Sequence, residues 1–382
     1  MAIYFDNAAT SWPKPPGVRA ALDDYFGDAG GNPGRSGHRM SIGAARLVEG
    51  AREALAQLFN ATDPSRIVFT QNATHALNLA LCGLLHAGDH AVTTSLEHNS
   101  VMRPLRHLEC SGVEVTVVNC TRDGLLDVDE VGRALRTNTR LVVTTHASNV
   151  IGTLMPIREV AAHAREHGIF CLVDASQTAG AIPIDVENLG VDLLAFTGHK
   201  GLLGPTGTGG LYIREGVTIE PLIRGGTGSD SAREIQPVFL PDAYESGTVN
   251  VAGLAGLAAG VRFLAEVGVD AVQTHEQQLV AQFIAGASKI PAMTIYGPRD
   301  AALRCGVVSF NIPGTIASEV ELMLDESFEI MARSGLHCAP AAHRTIETFP
   351  TGTVRFSFGW FNTPDEVETA LAALREIATW TA

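Results

Sequence analysis

A single lysine, Lys200, lies in a glycine-rich stretch, residues 196–210, which reads FTGHKGLLGPTGTGG. The stretch begins at the end of the apolar run VDLLAF, and His199 stands directly before the lysine. Lysine is rarely buried, and glycine-rich backbone loses much conformational entropy when it is ordered. An ammonium group between an apolar strand and a loop with few side chains therefore indicates a chemical role. The alternative is a surface lysine in a glycine loop.

Polar residues also follow other apolar runs of the sequence. LVDAS ends one run at Asp174, with Gln177 three residues later, while His98 and Asn149 follow two further runs. Ligands of open parallel sheets bind beyond the carboxyl ends of the strands, so these side chains are candidates for one site. Each has a simpler alternative: the aspartate could cap a helix, and the histidine could be a solvated loop residue.

A helix start follows the run RIVFT. The segment QNATH places Asn72, Ala73 and Thr74 at this start. Free backbone N–H groups and the helix dipole favour a phosphate at such a position. An ordinary helix cap is the alternative, and it would be the more common one if this segment stood alone.

A phosphate site, an aspartate and a lysine at one sheet edge together predict pyridoxal phosphate as the cofactor. Lys200 would form a Schiff base with its aldehyde, and Asp174 would keep the ring nitrogen protonated. Burial in a dry site would lower the pKa of the lysine and leave a usable amine. The sequence therefore predicts a pyridoxal-phosphate enzyme.

The elements that must position these residues alternate along the chain. Short β-branched runs and helical patterns follow one another over residues 14–255, which predicts an α/β domain with a mainly parallel sheet covered on both faces. Long helices, short strands at VVSFNI and TVRFSF, and a last helix follow. They predict a smaller α+β domain made of residues 1–13 and 256–382.

Composition excludes several classes of partner. The chain has 382 residues and a net charge of -14, which argues against nucleic acid or an anionic membrane as the main partner. No apolar run of membrane-spanning length and no secretion signal is found in the sequence. None of its six cysteines forms a CxxC pair, so we expect a reducing cytoplasm, no disulfide framework and no metal site.

Seven motifs resemble the pyridoxal-phosphate-dependent cysteine desulfurases of the class V aminotransferase group, closest to the SUF-type and selenocysteine-lyase branch. They lie in the family's order between residues 4 and 363: FDNAAT, HASNVIGT, VDASQ, TGHKGLLGPTGTGGLY, YESGTVN, RSGLHCAP and RFSFGWFNT. The resemblance implies fold type I, with a seven-stranded sheet in the large domain and the cysteine loop in the small one.

The resemblance implies a role for each residue around the cofactor. Lys200 would be the attachment lysine, Asp174 would pair with the ring nitrogen, and His98 would stack on the ring and could shuttle protons. Gln177 would bond to the ring hydroxyl, with Asn149 near it or near the substrate carboxylate. The phosphate would be held by Ala73, Thr74, Thr197 and His199, and by Gly247 and Thr248 of a second subunit, which implies a homodimer.

Substrate and sulfur chemistry are implied in the same way. Arg355 would bind the carboxylate of L-cysteine, because a guanidinium can hold a carboxylate through two bonds. His38 and Arg35 would lie near the active-site entrance. Cys338 would attack the substrate sulfur, become a persulfide and release L-alanine, and its sulfur would pass to an acceptor protein. Nearby cationic groups would favour its thiolate: Arg333, His337, His343 and Arg344.

Other functions stay open at this point. A selenocysteine lyase, or another class V transaminase or lyase, would use the same fold. A non-enzymatic sulfur-transfer scaffold has no need of Asp174, Lys200 and Arg355 together. Leu336 stands where SUF-type enzymes usually carry a second histidine, and QNATH and RGGTGS also differ from the family pattern. These departures leave open which acceptor takes the sulfur, whether sulfur or selenium is preferred, and which pathway the product enters.

Overall fold

The computed structural model describes residues 2–34, 36–230, 232–291 and 293–380. Within these ranges the strands are β1 (Ile3–Tyr4), β2 (Ile67–Thr70), β3 (His90–Thr94), β4 (Glu114–Val118), β5 (Thr139–Thr145), β6 (Phe170–Asp174), β7 (Leu193–Thr197), β8 (Gly209–Ile213), β9 (Thr294–Tyr296), β10 (Val307–Asn311), β11 (Ile330–Met331), β12 (Arg333–Gly335) and β13 (Thr353–Ser357). The helices are α1 (Pro16–Asp28), α2 (Arg39–Leu58), α3 (Ala73–Leu84), α4 (Asn99–Glu109), α5 (Val128–Ala134), α6 (Ile157–Glu166), α7 (Val186–Leu189), α8 (Val251–Val267), α9 (Val269–Ala287), α10 (Ala317–Phe328), α11 (Pro340–Thr345) and α12 (Pro364–Trp380).

Seven strands form the central sheet, in the order β2-β8-β7-β6-β5-β3-β4. The neighbours from β7 to β4 pair in parallel, whereas β8 runs antiparallel to both β2 and β7. The prediction of a mainly parallel seven-stranded sheet is therefore confirmed.

Both faces of this sheet are covered by helices, as the side chains of β7 illustrate. Leu194 and Phe196 belong to an apolar cluster shared with α2, α6 and α8. Leu193 and Ala195 belong to a second cluster shared with α3 and α4. Because successive side chains of a strand point to opposite faces, a central strand must be apolar at every position, and all five residues of β7 are buried.

A four-stranded antiparallel sheet, in the order β12-β13-β10-β9, forms a second layer with α9, α10 and α12. Its core is aromatic, with Phe283, Phe310 and Phe356 in mutual contact. Strand β1 joins this unit by pairing with β11. The domain boundary at residue 255 stays a prediction. Helix α8 runs through that point, and its buried residues on both sides of it pack with the large sheet.

The parallel strands end at one edge of the large sheet, and polar residues stand there. Strands β3, β5, β6 and β7 end at Thr94, Thr145, Asp174 and Thr197. The register pairs Thr145 with Asp174 across β5 and β6, so their side chains start from neighbouring positions. This edge is where the candidate site lies.

In the described part of the chain no single helix is long and apolar enough to cross a membrane. Helices α8 and α9, which meet at an angle of 81°, reach the required length and composition only as a bent pair.

Candidate active site

A polar cavity of about 280 Å³ opens beyond the carboxyl ends of the parallel strands. Segments that follow β2, β3, β5, β6 and β7 all contribute to its wall. Ten of the residues singled out from the sequence line it together: Asn72, Ala73, Thr74, His98, Asn149, Asp174, Gln177, Thr197, His199 and Lys200. Residues far apart in sequence are thus brought to one place, but their individual roles stay predictions.

One end of the cavity suits a phosphate. The side chain of Asn72 caps α3 by accepting a hydrogen bond from the amide of His75 at 2.9 Å, which leaves the first turn of the helix facing the cavity. Thr197 Oγ1 and His199 Nδ1 are buried there without a hydrogen-bond partner in the described chain. Buried polar atoms are normally satisfied, so these two atoms indicate a missing polar ligand. A phosphate oxygen at a helix N-terminus would satisfy them.

Lys200 is prepared to act as a neutral amine. Burial lowers its pKa to about 8. The nearby carboxylate of Asp174 opposes this shift, and the guanidinium groups of Arg355 and Arg333 add to it. Its ordinary pKa is 10.5, so a far larger fraction of this amine is unprotonated near neutral pH than for a solvated lysine.

The side chain of Asp174, at the end of β6, is held by Ser176, which follows the strand. Its Oδ1 accepts hydrogen bonds from the amide and the hydroxyl of Ser176. The side chain is buried at the cavity wall, where an anionic carboxylate favours a protonated ring nitrogen as its partner. Gln177 follows and donates its Nε2 to the carbonyl oxygen of Ala8 at 3.2 Å.

His98 enters the cavity from the start of α4. Burial lowers its pKa to about 4, with Asp174 opposing and Lys200 adding to the shift, so the ring is neutral at physiological pH. Its Nδ1 accepts a hydrogen bond from the amide of Ser100 at 3.0 Å. The ring proton must then be on Nε2. In this arrangement His98 offers a hydrogen-bond donor, rather than a base, at Nε2.

The Cys338 loop is fastened to the cavity wall through its backbone. Asn149 donates its Nδ2 to the carbonyl oxygen of His337 at 2.7 Å, and the amide of Asn99 donates to the carbonyl oxygen of Cys338 at 2.9 Å. His337 and Cys338 both have positive φ values, 47° and 59°. Two consecutive side chains in this region are uncommon and strained, and the strain is held by these two hydrogen bonds. The Cys338 side chain is exposed.

One expectation about this loop is wrong. His337 and His343 were expected to be cationic neighbours of the thiol, but burial lowers the pKa of His337 well below its usual range and that of His343 to about 4. Both rings are therefore neutral. The positive charge near the sulfur comes from Arg333, whose Nη2 lies 3.6 Å from Cys338 Sγ.

Arg355, on β13, lies beside the cavity with partners of its own. Its Nη2 pairs with Asp6 at 2.7 Å and its Nη1 donates to the carbonyl oxygen of Asn149 at 3.0 Å. The guanidinium is 1% exposed, and its Nε has no partner in the described chain. A substrate carboxylate bound here would share the guanidinium with Asp6, so the role of Arg355 in binding the substrate carboxylate stays a prediction.

His38, Gly247 and Thr248 are not among the residues that line this cavity. His38 instead caps α2, with its Nδ1 accepting from the amide of Ser41 at 3.2 Å. Gly247 and Thr248 lie in a separate surface pocket of the same chain. Arg35 lies outside the described residues.

Sequence reasoning missed Glu97, which is fully buried directly before His98. Its Oε1 accepts hydrogen bonds from Thr94 Oγ1 at 2.6 Å and from the amide of Thr145 at 3.0 Å, while Oε2 is buried without a partner. Burial raises its pKa to about 8, so the carboxyl is protonated at neutral pH. The available signal was a carboxylate next to His98, in the segment that follows β3.

A second missed feature is a clamp on the peptide before Lys200. The carbonyl oxygen of His199 accepts hydrogen bonds from Lys14 Nζ at 2.8 Å, from the amide of Ser11 at 3.0 Å and from Thr10 Oγ1 at 3.1 Å. Ser11 Oγ also donates to the carbonyl oxygen of Lys200 at 2.8 Å. We name this set, Thr10, Ser11 and Lys14 on the carbonyls of His199 and Lys200, the lysine clamp.

Comparisons with known proteins agree with this geometry. The model of the aminotransferase class-V family matches residues 3–370. A probable cysteine desulfurase of Pyrococcus abyssi is 38% identical, with 98% of this chain and 94% of that protein covered. A probable cysteine desulfurase of Methanothermobacter thermautotrophicus is 37% identical at the same coverage. Among solved structures, the apo cysteine desulfurase of Thermococcus onnurineus is 36% identical with a TM-score of 0.93, covering 99% of this chain and 95% of its own.

Proposed function

Because the chain belongs to the class-V aminotransferase family, we propose that it is a cysteine desulfurase, which converts L-cysteine to L-alanine and takes the sulfur onto Cys338. One observation carries this proposal. The loop that presents the exposed thiol is hydrogen-bonded to Asn149, a wall residue of the cavity that also contains Lys200 and Asp174. The loop that carries a nucleophilic sulfur is thereby attached to the wall of a site suited to amino-acid chemistry.

We propose pyridoxal phosphate as the cofactor. The first turn of α3, Thr197 and His199 would hold the phosphate, Asp174 the ring nitrogen and Lys200 the aldehyde carbon. When bound, the cofactor supplies a protonated ring that takes up electrons from bonds to the substrate α-carbon. The two unpartnered atoms, Thr197 Oγ1 and His199 Nδ1, support the phosphate site.

The protein side chains then have distinct tasks. Lys200, whose lowered pKa gives a larger neutral fraction than an ordinary lysine has, would hold the cofactor and can take a proton from the substrate α-carbon. Asp174 would favour the protonated form of the ring nitrogen. His98 lines the cavity and can donate a hydrogen bond through its Nε2–H. Arg355 favours the substrate carboxylate through charge, and its buried position excludes water from that interaction.

Cys338 carries out the sulfur transfer. Arg333, 3.6 Å from the sulfur, favours the thiolate. The thiolate attacks the sulfur of L-cysteine, and the Cβ–S bond breaks with its electron pair staying on Cβ, which takes up a proton. The net change is L-cysteine and a Cys338 thiol going to L-alanine and a Cys338 persulfide, with no outside oxidant.

Mass spectrometry of the Cys338 peptide tests this function. After L-cysteine is added to the protein loaded with pyridoxal phosphate, we expect one additional sulfur on this peptide and L-alanine in solution. Cys338→Ser protein should retain the cofactor, yet form less than about 1% as much alanine, because no other nucleophile replaces the thiol. Cys110, the other exposed cysteine, provides the control: Cys110→Ser should behave like the wild type. Full alanine formation by Cys338→Ser would refute the proposal.

We further propose a homodimer in which Gly247 and Thr248 complete the phosphate site of the partner subunit. The support is their location away from their own chain's cavity, in a stretch rich in exposed apolar side chains. Large hydrophobic residues exposed in this stretch are Leu222, Ile223, Ile235, Val238 and Phe239. Such clusters are typical of surfaces that become covered by another protein chain.

A further inference from the structure

A groove of about 570 Å³ lies beside the Cys338 loop, between α4 and α11. Arg103 and Arg106 contribute from α4, and Arg344 contributes from α11. We call this feature, with these three arginines, the basic groove. Met102 and Val117, both partly exposed, add apolar surface to its wall.

The charge of this groove is opposite to that of the whole protein. The chain has 41 acidic and 27 basic residues, yet the eleven residues that line the groove include three arginines and no Asp or Glu. Arg106 is bound to Glu109, and Arg344 stacks on Phe349 with its guanidinium carbon 4.5 Å from the ring centroid. Arg103 is exposed and has no carboxylate partner among the described residues.

The groove is continuous with the segment that presents the thiol. Asn99 lines the groove, and its amide donates to the carbonyl oxygen of Cys338 at 2.9 Å. Pro340, also in the wall, follows Cys338 by two residues. A molecule seated between α4 and α11 would therefore lie next to the loop that carries the exposed thiol.

We propose that the basic groove docks an acidic segment of the protein that accepts sulfur from Cys338, so that carboxylates of this segment pair with Arg103, Arg106 and Arg344. The proposal rests on the proposed desulfurase function. Charge complementarity selects the occupant, since a short row of arginines on an acidic protein attracts a partner with a local cluster of carboxylates. A long polyanion such as nucleic acid would meet the repulsion of the surrounding acidic surface.

A partner docked in the basic groove could take the sulfur from the Cys338 persulfide by thiol–disulfide exchange. The thiolate of the acceptor attacks the outer sulfur of the Cys338 persulfide, a new S–S bond forms on the acceptor, and the old S–S bond breaks. Cys338 leaves as a thiolate with the electron pair of that bond, and the proton stays on the transferred sulfur. No other oxidant or reductant is needed.

Peptide binding to the loaded enzyme tests the groove without relying on catalysis. The probe is a fluorescent peptide with one serine flanked by glutamates, and the matched probe carries glutamines in their place. We expect the wild type to bind the glutamate peptide more tightly than the glutamine peptide. The double variant Arg103→Gln/Arg344→Gln should bind the glutamate peptide about fivefold more weakly than the wild type does, since each exposed ion pair contributes modestly. High salt should remove the difference.

A charge-matched control separates the groove from net charge. Arg19→Gln/Arg375→Gln removes two exposed arginines elsewhere and should bind as the wild type does. Equal binding of both peptides to the wild type, or an equal loss in the control variant, would overturn the proposal. Tighter binding of an oligothymidylate that displaces the peptide would also overturn it, because the groove would then be a phosphate site.

Sulfur transfer provides the second measurement. For this measurement both peptides carry cysteine in place of the serine, and each rate of sulfur transfer from Cys338 is divided by the rate with dithiothreitol as acceptor. The glutamate peptide should then take sulfur faster than the glutamine peptide. The groove variant should lose this preference. If Cys338 gains no sulfur from L-cysteine, the proposed function fails, whereas the binding measurement still decides whether acidic segments dock here.

Discussion

At the scale of single residues, desolvation sets the ionisation of the site. Burial is the largest cause of the lowered pKa values of Lys200, His98 and His199, and of the raised pKa of Glu97. Removing a charge from water costs more than nearby opposite charges return, so each group moves toward its neutral form. The result is a reactive amine with neutral rings around it.

The lowered pKa of Lys200 predicts how cofactor attachment depends on pH. The amine is protonated below about 8 and neutral above it. The rate at which pyridoxal phosphate attaches to the cofactor-free protein should therefore rise about tenfold per pH unit below 8 and level off above it. Borohydride trapping followed by mass spectrometry of the Lys200 peptide measures this rate. A rise that continued unchanged to pH 10 would show an ordinary lysine.

At the scale of elements, the segment before α1 fixes the loop after β7. The lysine clamp places hydrogen-bond donors of Thr10, Ser11 and Lys14 on the two carbonyls that flank the attachment residue. Glycine-rich backbone has little stiffness of its own, so these contacts supply it. We infer that Lys14 is a positioning residue for Lys200.

Lys14→Met tests the clamp, because it keeps the apolar part of the side chain and removes the ammonium group. We expect the free energy of unfolding to fall by about 1 kcal/mol and the cofactor to be released faster, since one charged donor is lost from the His199 carbonyl. Denaturant unfolding and release into a competing hydroxylamine solution measure the two effects. The exposed Lys289 offers the matched control, and equal release from Lys14→Met and Lys289→Met would contradict the inference.

At the scale of the whole molecule, two cores meet at the candidate site and are joined by buried polar contacts. Arg304 is completely buried and donates to the carbonyl oxygen of Ile151 in the large unit and to those of Pro298, Tyr296 and Val307 in the small one. Such a guanidinium, shared between two units, holds their relative placement. In the proposed homodimer, Gly247 and Thr248 of a second subunit would complete the phosphate site.

The homodimer can be tested by complementation between subunits. Lys200→Ala and Thr248→Glu should each abolish alanine formation, the second because a carboxylate would repel the phosphate of the partner's site. Refolding them together should restore about a quarter of wild-type activity, because half of the dimers would be mixed and each would carry one intact site. A monomer in light scattering, or mixed dimers without activity, would contradict the shared site.

Much of the cavity was predictable from sequence because its residues follow a local rule. Asp174, Thr197 and Lys200 stand at or just after the ends of apolar strands, and parallel strands bring such positions to one edge. The lysine clamp followed no such rule. Lys14 and His199 are 185 positions apart, and nothing near either residue indicates the other.

The sequence by itself determined the α/β fold, the edge of the sheet that carries chemistry and the family resemblance, because hydrophobic periodicity and strand-end residues are local patterns. Only the tertiary structure decided which groups are charged and how they are paired. It made His337 and His343 neutral, paired Arg355 with Asp6, and gathered three arginines in the groove next to the Cys338 loop. Burial and distance set these properties, and both arise only when segments far apart in the chain pack together.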